Sequence, residues 1–169
     1  VGLAIKTRLG YILHTGDFKF DYTPLGEATD YHKLTNYAQK GVLCLLADST
    51  NANVTNLSAS ERKIGESIKS IFSNIKGRIL ISTFASNVYR VQQIVEASVA
   101  NNRKVIVFGR SMEKTVNVGK QLNYIKAPEG TFISAREFPH LPPNQITILS
   151  TGSQGEPLAA LSRIAEGTH

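Results

Sequence analysis

From Arg78 onward the chain repeats one pattern three times: a short apolar run rich in β-branched residues, a small polar turn, then apolar residues at helical spacing. Arg78–Phe84 is the first such run. Ala85-Ser86-Asn87 is its turn, and Val88, Val91, Ile94, Val95 and Val99 form the helical series. Lys104–Phe108 leads through Gly109-Arg110-Ser111 into a helix expected over Met112–Ile125, with Val116, Val118 and Leu122 as its apolar positions. Ile146–Leu149 leads through Ser150–Pro157 into a helix over Leu158–Ala165. Strands that alternate with helices in this way imply a parallel sheet with helices laid on it.

In such sheets ligands sit beyond the carboxyl ends of the strands, which is where all three polar turns fall. Ser86 or Asn87 can cap the helix that follows. The same turn, with its backbone N–H groups and with Arg90 close by, can also take a phosphate. Ser153 lies in the glycine-rich turn Gly152-Ser153-Gln154-Gly155, which reads either as a tight connection or as an anion site. No loop matches a P-loop or a dinucleotide fingerprint, so a nucleotide cofactor has little support.

The first third of the chain is organised differently. Gly2–Leu9 and Tyr11–Thr15 read as a hairpin turning at Leu9-Gly10. Asp17 follows at a strand end, where a turn aspartate accepts backbone hydrogen bonds. Asp30–Gln39 reads as a short helix capped by Asp30 and stopped by Gly41. Val42–Ala47 is continuously apolar, the mark of a strand buried on both faces, and it should bury Cys44. It ends in Asp48, a carboxylate that needs a partner or a site. Ser58 and Glu61 have capping-box spacing at the head of a helix whose apolar face is Ile64, Ile68, Ile71, Phe72 and Ile75. Thr131–Ser134 has the makings of a further short strand.

Nineteen Lys and Arg against thirteen Asp and Glu give a net charge of +6, which favours polyanionic partners without naming one. One cysteine excludes an internal disulfide and fits a reducing compartment. No stretch has membrane-spanning length. The chain starts without Met inside an apolar run, and it reads as a piece of a longer protein.

HTGDFKFD (His14–Asp21), LLADSTNA (Leu45–Ala52), STFASNVYR (Ser82–Arg90) and STGSQGEP with ALSRIA (Ser150–Ala165) together resemble the bacterial ribonuclease J family. Its members are nucleases of metallo-β-lactamase fold with an inserted β-CASP domain. The resemblance covers nearly the whole chain. It implies a partial αββα metallo-β-lactamase segment over residues 1–55 and most of a β-CASP domain, a Rossmann-like parallel sheet with flanking helices, over 56–169. Val42–Asp48 would then leave the parallel sheet and join the catalytic sandwich. Asp17 matches the family's metal-bridging aspartate, between two zinc ions. Asp48 matches an acidic residue that orients a catalytic histidine. Ser86 and Asn87 match positions that grip the RNA backbone, and Ser153 lies in a stretch bordering the RNA channel. The implied parent is a cytoplasmic zinc-dependent ribonuclease that cuts RNA from the 5′ end and internally, assembling with copies or paralogues. The family's His-x-His-x-Asp-His motif is absent, and His14, His32, His140 and His169 have no ligand spacing. This piece alone is therefore expected to be inactive. The rivals are a non-catalytic RNA-binding or assembly paralogue and a β-CASP nuclease for another nucleic acid.

Overall fold

The computed structural model describes residues 2–55 and 58–168. They form two compact units, Val1–Arg62 and Lys63–His169. The boundary expected between residues 55 and 56 adjoins Asn56 and Leu57, which lie outside the described residues.

In the first unit β1 (Leu3–Lys6) pairs antiparallel with β2 (Tyr11–His14), and β2 pairs parallel with β3 (Val42–Leu46) across the helix α1 (Tyr31–Gln39). Asp30 caps α1 by accepting the Lys33 N–H at 2.8 Å. The sheet order is β1-β2-β3, so β3 belongs here and not to the later parallel sheet. No described residue of this unit is buried. The apolar run of β3 remains open, with Leu43, Leu45 and Leu46 at 50% exposure or more, and Cys44 is exposed rather than buried. An apolar run records that both faces of a strand can be covered. Among the described residues, a single nine-residue helix accompanies this sheet, and it buries none of its own residues either.

The second unit carries the core. α2 (Glu61–Asn74) leads into β4 (Ile79–Ser82), α3 (Val88–Ala100), β5 (Lys104–Phe108), α4 (Arg110–Gln121), β6 (Ile146–Ser150) and α5 (Ala160–Ala165). The three strands are all parallel, in the order β4-β6-β5. Period-two alternation sorts their side chains onto two faces. Ile79, Val105 and Leu149 meet Ile68 and Phe72 of α2, Val91, Ile94 and Val95 of α3, and Met112 and Val116 of α4. Burial of each such Val or Ile contributes roughly 1.5–3 kcal/mol before entropy is counted. Ile106, Ile146 and Ile148 on the other face are covered by Ile133, Phe138 and Leu141 from the proline-rich connection. In full burial, the Ser98 hydroxyl of α3 meets Thr147 of β6 at 3.1 Å.

Several boundaries differ from the sequence reading for physical reasons. α2 opens at Glu61, so Glu61 stands in its first turn and cannot complete a capping box with Ser58. The Glu61 N–H instead goes to the Asp21 carboxylate at 2.8 Å. On α4 the buried positions are Met112, Val116 and Gly119, while Val118 and Leu122 are exposed. Gly119 is inward because Ile125 folds back onto it, and a Cβ there would lie 2.7 Å from Ile125 Cδ1. Thr131–Ser134 makes a single parallel bridge, Phe132 to Val105, and not a strand. α5 starts at Ala160, leaving Leu158 at 90% exposure.

Candidate nucleic-acid interface

In the second unit, strand register brings the polar turns to one end of the sheet. Ser82, Ser150 and Phe108 are register partners at the carboxyl ends of β4, β6 and β5. The Thr83 N–H donates to the Ser150 carbonyl at 3.1 Å, so the β4–α3 turn leaves directly beside the end of β6. Gly109, at φ +106°, begins the β5–α4 turn against Thr151: a Cβ there would sit 2.8 Å from Thr151 Oγ1. Glycine is required at this approach by both space and φ.

Asn87 is the N-cap of α3, its Oδ1 accepting the Arg90 N–H at 3.1 Å. The cap uses the amide oxygen and leaves the Nδ2 amide as the group able to donate to a phosphate. Arg90, half-buried, is one turn further along the helix, and Ser86 is exposed just ahead of the cap. Ser153 is exposed in its own turn, closed by the Gly155 N–H to the Gly152 carbonyl at 3.1 Å.

In the first unit, parallel pairing of β2 with β3 sets His14 opposite Leu46. The strand ends that follow place Asp17 and Asp48, with His14, on one cleft of about 420 Å³. The Asp48 Oδ1 accepts the Thr50 hydroxyl at 2.7 Å and the Thr50 N–H at 2.9 Å. These bonds, with help from the Ser49 and Phe18 N–H groups, hold the carboxyl below its usual pKa range. The Asp48 N–H in turn donates to the Thr15 hydroxyl at 3.1 Å. Thr15 is a neighbour of Asp48 that spacing does not reveal, because it depends on the strand pairing, whereas Thr50 reaches Asp48 from only two residues along the chain. His14 Nδ1 accepts the Gly16 N–H at 3.0 Å, which shapes the turn that carries Asp17.

A zinc ion takes three or four nitrogen, oxygen or sulfur ligands. Among the described residues no group of three or more His, Cys, Asp and Glu is placed to hold a metal ion. Asp17, Asp48 and His14 share a cleft without forming such a set, and His169 lies outside the described residues. Among the described residues, His14, Asp17 and Asp48 do not by themselves make a zinc ligand set.

Comparison with known proteins bears on the second unit first. A family model described as the β-CASP domain of ribonuclease J matches residues 76–169, the span holding β4 to α5 and all three polar turns. Ribonuclease J 1 of Streptococcus pyogenes serotype M3 is 52% identical over 169 residues, all of this chain and 30% of that protein. Ribonuclease J of Synechocystis sp. is 47% identical, covering 99% of this chain and 26% of its own length. Ribonuclease J2 of Bacillus subtilis is 40% identical, over 100% of this chain and 31% of its own length. The chain thus spans about a quarter to a third of these curated relatives. Since the matched model covers more than half of the chain and coincides with its packed parallel sheet, the chain belongs to the ribonuclease J family, of which it carries the β-CASP domain.

Proposed function

We propose that this chain is the RNA-holding region of a ribonuclease. The observation that carries the reading is the Asn87-capped turn at the carboxyl end of β4, in the unit that holds the molecule's charge surplus. Lys63–His169 has thirteen Lys and Arg against seven Asp and Glu, while Val1–Arg62 has six of each. Backbone N–H groups of a helix N-terminus, the Asn87 amide and the Arg90 cation would meet consecutive phosphates without reading bases. Ser86 and Ser153 would add hydroxyl donors. The names of the relatives support RNA as the polyanion.

In the whole protein, Asp17 would contribute one ligand to a two-zinc centre completed by residues this chain does not supply. Asp48, held ionised by Thr50, would orient a histidine there. A metal centre of that kind, when complete, would supply a hydroxide nucleophile for phosphodiester hydrolysis. Cleavage from the 5′ end and internally, assembly with copies or paralogues, and a cytoplasmic location belong to the same proposal. Among the described residues, no helix is long and apolar enough to cross a membrane.

Asn87→Asp tests the reading without removing the cap, since aspartate caps as well as asparagine. It replaces the donating amide with a negative charge facing the phosphate. Affinity for a single-stranded RNA 12-mer, measured by fluorescence anisotropy, should fall about tenfold, the scale of a lost hydrogen bond to a charged group. Thermal stability should hold. Unchanged affinity would return Asn87 to plain helix capping.

A further inference from the structure

Tyr89 and Tyr124 meet edge to face on the surface of the second unit, ring centroids 6.4 Å apart and planes at 89°. They are 43% and 55% exposed, so the contact buries neither ring. Tyr124 is nonetheless held firmly. Its own N–H and that of Ile125 both donate to the Gly119 carbonyl, at 2.8 and 3.0 Å. Asn123 ahead of it turns through φ +61°, and Ile125 behind it is buried against Gly119. Gln92, one turn along α3 from Tyr89, clamps the same loop twice: its Oε1 accepts the Lys126 N–H at 2.8 Å and its Nε2 donates to the Lys126 carbonyl at 3.1 Å. The fold therefore fixes two aromatic rings side by side and leaves them in water. Rigid aromatic rings present contact area at low entropic cost. Arg90 follows Tyr89 directly, and Lys126 lies two residues beyond Tyr124, in the unit with the excess of cations.

We propose that the Tyr89–Tyr124 pair is a stacking station for bases of single-stranded RNA whose backbone is held at the Asn87 turn. Every base has a π-face, so rings flanked by cations bind single strands with little sequence preference. Asn87 stands two residues before Tyr89, so one strand can meet both. The inference rests on the reading of this unit as RNA-holding, and the experiment separates the two.

The 169-residue chain is titrated with an rA 12-mer and with an abasic 12-mer of the same backbone, by anisotropy and by tyrosine emission, which no tryptophan obscures. The wild type should bind rA about tenfold more tightly than the abasic strand, with tyrosine quenching. The Tyr89→Ala, Tyr124→Ala double variant should bind both strands alike, at the wild-type abasic level, which also shows that it is folded. The Tyr89→Phe, Tyr124→Phe variant should keep the preference and lose most of the quenching. Equal wild-type affinity for the two strands would overturn the stacking station and leave the phosphate grip standing. Binding to neither strand would overturn both readings. Self-association that the double Ala variant abolishes, with unchanged rA affinity, would assign the pair to a protein contact and overturn the proposal.

Discussion

Arg103 is the residue on which the second unit turns. It is 4% exposed, and its guanidinium donates to the carbonyls of Gly77 at 2.8 Å and Ile146 at 3.2 Å and to that of Ile75. The first and last of these carbonyls lie just past the end of α2, and the second opens β6, so one side chain ties the exit of a helix to the central strand. Burial draws its pKa below the usual arginine value. Its charge is met by carbonyl dipoles at a helix C-terminus, where a cation is favoured. Arg103→Met would leave those carbonyls without their donor. It should cost about 3 kcal/mol in urea unfolding of the chain, and Arg103→Lys should recover little, because one ammonium cannot span the three acceptors. A loss below about 1 kcal/mol would show that water replaces the guanidinium. The sequence gives no hint of this role: an Asn-Asn-Arg-Lys stretch ahead of a strand reads as a solvated turn. Asn87 is a nearer case: the polar turn announces a cap by Ser86 or Asn87, and the Arg90 N–H bound to Asn87 Oδ1 decides between them.

Elements were legible where their cause is local. β4, β5 and β6 and the helix α3 follow from apolar period alone, because the residues that repeat are the residues that pack. The start of α2 was not legible, since the group that takes its first N–H is Asp21, forty residues away. Nor was the cleft shared by Asp17 and Asp48, which exists only once β2 and β3 pair in parallel. Asp21 also makes the α2 start sensitive to acid. The Glu61 N–H foremost, then the Thr23 N–H and Lys19, lower its pKa from 3.8 against an opposing desolvation. A carboxyl depressed in the folded state adds stability above its unfolded pKa, and that contribution is lost as pH falls through the lower folded value. The bond between Glu61 and Asp21, both within Val1–Arg62, should thus persist at pH 3.8 and fail only below it. An NMR titration of the Glu61 amide should report a midpoint under 3.8, absent in Asp21→Asn. A midpoint at or above that value would mean the bond does not survive in solution.

At the scale of the whole molecule, packing and charge are unequally divided. The second unit has the buried core and the surplus cations; the first has no buried described residue and no net charge. Opening free energies track buried apolar contact, so two levels of protection are expected. In hydrogen exchange on the isolated chain, amides of β4, β5 and β6 should be slow and those of β1, β2 and β3 should exchange early. Uniform protection in a monomer would refute this division. The two edges of the β1-β2-β3 sheet bear on storage of the purified chain. A net charge of +6 ordinarily keeps copies apart, but repulsion is screened beyond a Debye length of roughly 10 Å. The sheet with open edges sits in the unit that has no surplus charge to repel with. Copies can add strand to strand there regardless of the overall charge, so the shelf life of the purified chain should follow its neutral third, and buffers chosen from the isoelectric point should not extend it.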